Sequence, residues 1–310
     1  ALMLVITAIG VCYYKVSRLG VPLTPDESTE VWTVEATLTF DGTGQSAKAG
    51  LAIPDAPPGF TVLDESFVSS GFGLATEDED ANRVARWAAR DLRGKQTLYY
   101  RVVLNEDGEA NRDRETPVPV YPDIPEYSAP ERAAVFALLE NVRSRSADTG
   151  SFAQEMLRRF NDPTPDSEVE VLRDDTARPI DQVHKLQYVL AGARIPTRIA
   201  YVLPLAEGLR HGSLKPWLEV YNGERWLAFN PVTADQGFAR DVLVWHVGSL
   251  PLVALDGAEN ADVDFSATRA SRDVMGLAQQ RARLLNSDIL EYSLLALPIA
   301  TQNTYKVLLT

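Results

Sequence analysis

The chain has 310 residues, of which 45% are hydrophobic and 24% charged, and its formal net charge is −13. This length allows two ordinary domains, and the composition is that of a globular protein, which excludes a disordered or low-complexity chain. An acidic chain without clusters of Lys and Arg is poorly suited to phosphate backbones, so we expect no nucleic-acid partner.

The N-terminal stretch is apolar and contains the single cysteine, Cys12. We therefore expect no disulfide, no cysteine metal ligand and no thiol nucleophile in the rest of the chain. The apolar run is shorter than the ~20 residues that span a membrane, and it meets Lys15 and Arg18. Because the chain starts without Met, we interpret residues 1–19 as the end of a transmembrane helix. A signal-peptide core or a buried helix is the alternative.

The next part of the chain is rich in predicted strands. Residues 31–40 alternate between apolar and polar side chains, which predicts a half-buried strand. Similar runs follow at 47–53, 60–68, 83–88 and 97–104, separated by turn residues. This spacing predicts an antiparallel, β-sandwich-like domain over residues 20–115. The acidic run 77–80 lacks the pattern of a calcium loop and is interpreted as a solvated turn.

A proline-rich segment over residues 116–127 predicts an extended linker and a domain boundary. Two capping boxes follow, at Ser128–Glu131 and at Ser151–Gln154, and each predicts the start of a helix. The first of these helices has an apolar stripe that we assign to the core, made of Val135, Phe136, Leu139 and Val142.

A longer helix is predicted over residues 178–192, with Pro179 in its first turn, where a missing N–H costs nothing. After the turn 194–198 comes a predicted hairpin over 215–231. Its Asn-Gly pair at 222–223 favours a two-residue turn. In that register Lys215 lies opposite Asn230.

In order and spacing these segments resemble the transglutaminase-like, papain-type cysteine hydrolase core. In that core a cysteine opens the helix, a Gly-Ile-Pro-Ala-Arg-like turn closes it, a His-Ala-Trp begins the hairpin and an Asp-Pro ends it. When the family pattern is aligned with this sequence, its cysteine corresponds to Pro179, its histidine to Lys215 and its aspartate to Asn230. We call these three residues the triad positions. Arg194 stands where the turn has glycine. A nucleophile, a base and an orienting acid are all missing, so the resemblance implies an inactive enzyme without a cofactor.

Other uses of the same residues are weighed beside this interpretation. In the simpler interpretation, Lys215 and Asn230 form a neutral cross-strand hydrogen bond. In the alternative, Lys215 binds the carboxylate of a ligand in a cleft. The candidate ligand-binding residues are Lys215, His184, Trp217 and Asn230. A Ser/Lys dyad of Lys215 with Ser213 or Thr176 would restore chemistry. The three histidines lack ligand spacing, so no metal site is expected.

Taken whole, the chain resembles the bacterial family of inactive transglutaminase-like domains fused to seven transmembrane helices. The resemblance implies an α+β fold: a β-sandwich-like domain, a linker, a transglutaminase-like domain at 128–252 and a segment at 253–310 that returns to the membrane. Within the C-terminal part we predict a strand at 242–247, a helix around 272–285 and a strand at 289–297. A membrane bundle is expected after Thr310.

The same resemblance implies a function and a location. The protein is expected in the bacterial inner membrane with this part in the periplasm, next in the genome to an ATP-grasp ligase. We therefore expect a noncatalytic domain that binds or couples a peptide-like, polyglutamate-type or acidic ligand or partner. The alternatives are a hydrolase or acyl transferase with relocated catalytic groups, and a domain that only braces or dimerises the membrane part.

Overall fold

The computed structural model describes residues 29–107, 110–111, 118–173 and 178–272, which fold into two antiparallel sheets and a group of helices. The fold is α+β, as the sequence predicts. The helices of the described residues are α1 (Ala129–Arg143), α2 (Thr149–Asn161), α3 (Ser167–Leu172) and α4 (Pro179–Ala191). The strands are β1 (Thr29–Ile53), β2 (Phe60–Val68), β3 (Gly73–Glu79), β4 (Asn82–Glu106), β5 (Thr197–Pro204), β6 (Leu209–Gly212), β7 (Lys215–Tyr221), β8 (Trp226–Phe229), β9 (Val242–Val247), β10 (Val253–Asp256) and β11 (Ala258–Arg272).

The larger sheet has the order β2-β4-β1-β11-β6, with β10 also paired to β1 and β3 to β4. The predicted alternation over 31–40 is confirmed, since every second side chain is buried: Trp32, Val34, Ala36, Leu38 and Phe40. The prediction of separate strands at 31–40 and 47–53, and at 83–88 and 97–104, is wrong, because β1 and β4 each continue for 25 residues. Gly42 permits this continuity: a Cβ there would lie 2.6 Å from the Leu92 carbonyl oxygen, so only glycine lets the two strands stay together.

Strand β3 corrects the interpretation of the acidic run as a turn. Glu77 and Glu79 belong to β3, which pairs with β4, and both carboxylates contact the guanidinium of Arg86 on that neighbouring strand. The glutamates are therefore strand residues with a cross-strand cation as partner. Asp and Glu have low β propensity, so the acidic residues of this segment make a strand hard to predict from the sequence.

The smaller sheet, of order β8-β7-β5-β9, has helices on one side. We call this side the helix face; there side chains of β5, β7 and β8 pack with α1, α2 and α4 in one buried cluster. On the opposite side, the outer face, a separate cluster is formed by Ala200, Val202, Trp217, Ala228, Val242 and Val244. Side-chain hydrogen bonds join β9 to the larger sheet: Trp245 Nε1 donates to the Ala52 carbonyl, and Asn82 exchanges two hydrogen bonds with the backbone of Val247.

The helix predictions hold in part. The capping box at Ser128 is confirmed, since the hydroxyl and backbone N–H of Ser128 donate to Glu131. The second box is wrong: α2 begins earlier, at Thr149, and Asp148 accepts the N–H of Ser151. Phe136, assigned to the core stripe, is 42% exposed. Helix α4 begins at Pro179 and is followed by Gly192, as predicted. The short helix α3 is not among the helices predicted from the sequence.

Residues Trp32–Arg269 form one compact unit. Strands β10 and β11, from the end of that unit, pair within the larger sheet beside β1, so chain segments far apart in sequence share it. The predicted domain boundaries stay a prediction. The expected membrane-helix remnant at 1–19, the helix around 272–285 and the strand at 289–297 lie outside the described residues, apart from Arg272. In the part of the chain that the structure describes, no helix is long and apolar enough to cross a membrane.

Candidate functional site

The start of α4 carries the first triad position. Pro179 is the first residue of the helix and its side chain is exposed. Around it, the guanidinium of Arg178 donates to the carboxylate of Asp181 at 2.8 Å, and this hydrogen bond lowers the pKa of Asp181 below its usual value. In an active relative the positive end of the helix would stabilise a thiolate. Here an ion pair occupies that end, and Pro179 offers no nucleophilic atom.

The hairpin contradicts the predicted register. Strand β7 pairs with β8 through Leu218–Phe229, Glu219–Ala228, Val220–Leu227 and Tyr221–Trp226. The connection is therefore the four-residue loop 222–225 and not a two-residue turn. The Asn222 side-chain oxygen explains this, because it accepts the N–H groups of Glu224 and Arg225 and closes the longer loop. Lys215 and Asn230 are consequently displaced by two residues and do not lie opposite each other.

Lys215 lies opposite Val202 on the neighbouring strand β5. Residues directly opposite in an antiparallel pair point to the same face, and Val202 belongs to the outer-face cluster. Helix α4 packs on the helix face, so Lys215 leaves the sheet on the side away from Pro179. Within the described residues the exposed Lys215 side chain has no hydrogen bond or ion pair. The predicted hydrogen bond to Asn230 is absent there.

Asn230 shapes its own turn. Its side-chain oxygen accepts the backbone N–H of Val232 at 2.9 Å and that of Thr233 at 3.4 Å. Its backbone N–H donates to Asp235, and its carbonyl accepts the N–H of Ala234. The amide oxygen thus stabilises the loop 230–235, and the Nδ2 group has no acceptor among the described residues.

A chain of amide hydrogen bonds joins this loop to the start of α4. The Nδ2 group of Asn161 donates to the carbonyls of Pro231 and Val232, and its Oδ1 accepts from Gln182 in α4. Gln154 donates to the carbonyl of Ala234 in the same loop. The first turn of α4 and the residues after β8 are therefore held at one end of the smaller sheet, the end at which β7 also begins.

The remaining candidate ligand-binding residues differ in exposure. His184 is exposed on α4, and its Nδ1 lies 3.2 Å from Gln187. Trp217 is only 7% exposed and stacks on Phe238 at a centroid distance of 5.3 Å. The indole is therefore part of the outer-face core, which argues against a direct contact with a ligand.

The alternative chemistries find little support in the described residues. Ser213 is exposed and has no hydrogen bond to Lys215, while Thr176 lies outside the described residues. His211 pairs with Asp264, and His246 is buried against the Tyr201 ring. No group of three potential metal-ligating side chains occurs in the described part of the chain.

Two charged residues of the smaller sheet were not singled out from the sequence. Arg198 on β5 and Glu219 on β7 form an ion pair of 2.6 Å, and the guanidinium lies 4.2 Å from the ring centre of Trp226. Both belong to the motif segments. The sequence feature that could have predicted this ion pair is the opposite charge of two residues on segments that are expected to be adjacent.

Two cavities of the described residues lie on the larger sheet. One of about 490 Å³ and one of about 100 Å³ are formed over β1, β3, β4 and β10, around Gly50 and Arg86. Neither is lined by a triad position. They therefore give no support to a pocket at the former catalytic centre.

The family model described as "Inactive transglutaminase fused to 7 transmembrane helices" matches residues 14–176, which is more than half of the chain. The chain belongs to this family. A second model, "7 transmembrane helices usually fused to an inactive transglutaminase", matches residues 250–310. This inactive transglutaminase is thus part of a membrane protein. The triad positions lie between the two matched ranges, so their assignment rests on the order of the motifs.

Comparison with curated proteins gave no match. Among solved structures, a protein from Cytophaga hutchinsonii, provisionally named a cysteine protease, is similar with a TM-score of 0.42 and 13% identity. The alignment covers 79% of this chain and 92% of that protein. A similarity of this degree carries no information about activity.

Proposed function

We propose that this part of the protein is a noncatalytic periplasmic domain of a polytopic protein in the bacterial inner membrane. It binds or couples a peptide-like or acidic ligand or partner. The family is described as inactive and carries seven transmembrane helices, which supports the noncatalytic and membrane-bound parts of the proposal. The periplasmic side and the ligand class rest on the resemblance read from the sequence.

One observation carries the proposal of a cysteine-hydrolase-like pseudoenzyme: each triad position holds a residue that the fold uses in another way. Pro179 starts α4, and the Asn230 amide oxygen closes a turn. Lys215 leaves the sheet on the face away from α4. A nucleophile, a base and an orienting group cannot act together from these positions.

The same geometry supports Lys215 as the anchor for a ligand. It is an exposed cation without a side-chain partner in the described residues, and a carboxylate forms a charge-assisted hydrogen bond with such a group. Continuing the β7–β8 register by one residue would place Asn230 opposite Trp217, so its Nδ2 group offers a second donor two residues along β7 from Lys215. A short acidic peptide, of the type that a glutamate ligase would make, fits these donors.

A bracing function is the second candidate. The loop 230–235 is fixed by Gln154 and Asn161, which is the behaviour of a structural element more than of a loop that closes on a ligand. A bracing domain needs no ligand, so a binding experiment separates the two functions.

The catalytic question is tested with the full-length protein in lipid nanodiscs. We expect neither hydrolysis of glutamine-containing peptides nor transfer of a labelled amine to them above the protein-free rate. The variant Lys215→Ala should behave identically. Turnover that disappears in Lys215→Ala would show instead that catalytic groups have been relocated.

The ligand question is tested by titrating a short glutamate peptide into the same protein in a calorimeter. We expect Lys215→Glu to weaken binding at least ~10-fold, because an attractive charge becomes a repulsive one. Lys95→Glu is the matched control, since it makes the same charge change at an exposed residue of β4. Equal weakening by both variants would indicate attraction to overall charge, and no binding at all would favour bracing.

A further inference from the structure

The segment 118–125 carries an exposed apolar surface. We call the four side chains that form it the connector strip: Val118, Val120, Tyr121 and Ile124, which are 72%, 92%, 50% and 50% exposed. Four large apolar side chains exposed within seven residues are unusual for a folded protein, because isolated exposed residues are the norm. Contiguous exposure of this kind marks a surface that another apolar phase covers.

The connector strip is held in place at its C-terminal end. Tyr127 is 7% exposed, and its hydroxyl donates to the carbonyl of Tyr188 at 2.8 Å. The Tyr188 hydroxyl in turn donates to the carbonyl of Glu126 at 3.2 Å. Phe136 of α1, itself 42% exposed, packs edge-on against Tyr127. The chain is therefore anchored to α4 directly after the strip.

The composition of the strip points to lipid. No Lys or Arg occurs between Val118 and Glu131, and Asp123 and Glu126 are acidic, so anionic headgroups would repel it. Three prolines within the segment lack an N–H and reduce the number of donors that lose water at an apolar boundary: Pro119, Pro122 and Pro125. Tyrosine is also enriched at membrane interfaces.

The transmembrane helices fused to this domain in its family place a bilayer within the same protein. The seven-helix model begins to match at residue 250, inside the compact unit, so the transmembrane part follows the folded unit closely in sequence. A tether of this kind raises the effective concentration of the bilayer surface, and weak apolar contacts then suffice. We propose that the connector strip inserts into the headgroup–acyl boundary of the bilayer that the fused helices cross, with a preference for zwitterionic lipids. This contact goes beyond the proposed function and does not depend on any ligand.

The experiment uses full-length protein in nanodiscs, with Cys12 and any cysteines outside this chain replaced by serine. An environment-sensitive fluorophore is attached after the substitution Val120→Cys. Val171→Cys, at a 52% exposed position of α3, is the matched control. Both positions are exposed, so neither substitution disturbs packing; circular dichroism confirms the fold.

We expect the emission from position 120 to shift to shorter wavelength and to be quenched by brominated lipid chains, with neither effect at position 171. Adding anionic lipid should reduce the shift. Identical spectra at the two positions would overturn the proposal. A shifted but unquenched emission at position 120 would also overturn it, because the strip would then pack against protein.

Discussion

Arg198 and Glu219 lie directly opposite each other on β5 and β7, with 2.6 Å between Nε and Oε2. Their side chains are 19% and 7% exposed, so the pair is largely removed from water. The Trp226 ring covers the guanidinium from one side. A charge in this position is stable only while its partner is present, because the Coulomb attraction offsets the loss of hydration.

Removing one partner of this pair should strongly destabilise the fold. We expect Glu219→Ala to lower the free energy of unfolding by ~3 kcal/mol, because Arg198 would remain as an uncompensated charge. The measurement is urea denaturation of the full-length protein, followed by tryptophan fluorescence.

The double variant Arg198→Met, Glu219→Leu tests the cause. It should lose less stability than Glu219→Ala alone, since no isolated charge is left. Arg178→Ala is a control at an exposed ion pair and should change stability far less, because the Asp181 carboxylate can still accept the backbone N–H of residue 178. A double variant that is less stable than the single one would contradict this account.

His246 should make stability depend on pH. Burial lowers the pKa of His246 to about 4, against an unfolded value of 6.5, and its Nδ1 has no hydrogen-bond partner. The unfolded chain therefore binds a proton first, and stability is lost as the pH falls from about 6.5 to about 4. The predicted loss is about 3 kcal/mol over this range, measured by denaturation at a series of pH values.

The variant His246→Phe keeps an aromatic ring against Tyr201 and removes the titration. Its stability should be nearly constant between pH 6.5 and 5, below which carboxylates such as Asp148 and Asp162, whose pKa values are lowered by hydrogen bonds, begin to contribute. An unchanged pH profile in this variant would show that another group is responsible.

Arg194 should be a site of stored backbone strain. Its φ is +56°, the left-handed region in which the motif places glycine, and its side chain is exposed. We expect Arg194→Gly to raise the free energy of unfolding by ~0.5–1 kcal/mol, since the strain exceeds the entropy cost of glycine. Arg194→Ala removes the side chain but keeps the strain and should bring no gain; equal gains in both variants would refute the explanation. Thermal denaturation measures the difference.

Restoring the family residues should not restore the enzyme. We expect the triple variant Pro179→Cys, Lys215→His, Asn230→Asp, made with Cys12→Ser, to show no amine transfer and an iodoacetamide reactivity close to that of an ordinary thiol. The reason is geometric: position 215 faces away from α4 and is offset from position 230. Reactivity raised ~10-fold or more at pH 7 would show that the three positions do meet.

The sequence predicts local features well where one physical signal dominates. The alternation from Trp32 to Phe40 predicts the buried face of β1, and Pro179 with Gly192 correctly bounds α4. The capping box at Ser128 is a contact between neighbours and needs no tertiary information. Each of these depends on residues only a few positions apart.

The incorrect predictions concern residues whose conformation depends on contacts with side chains or strands that the local pattern does not reveal. The Asn222 side chain closes a four-residue loop and so shifts the hairpin, which an Asn-Gly pair does not reveal. Glu77 and Glu79 are strand residues because Arg86 lies on the next strand. Phe136 occupies a helical stripe yet faces outward beside Tyr127. At the site, the motifs predict which residues are near each other but not the face to which Lys215 points.

Strand β11 has neighbours on both sides, β1 and β6, and so lies inside the larger sheet. It also belongs to the range matched by the seven-helix model. Detaching β11 therefore requires breaking its pairing with β1 and also its pairing with β6, at Phe265–Gly212 and Ala267–Leu209, whereas an edge strand has one neighbour to lose.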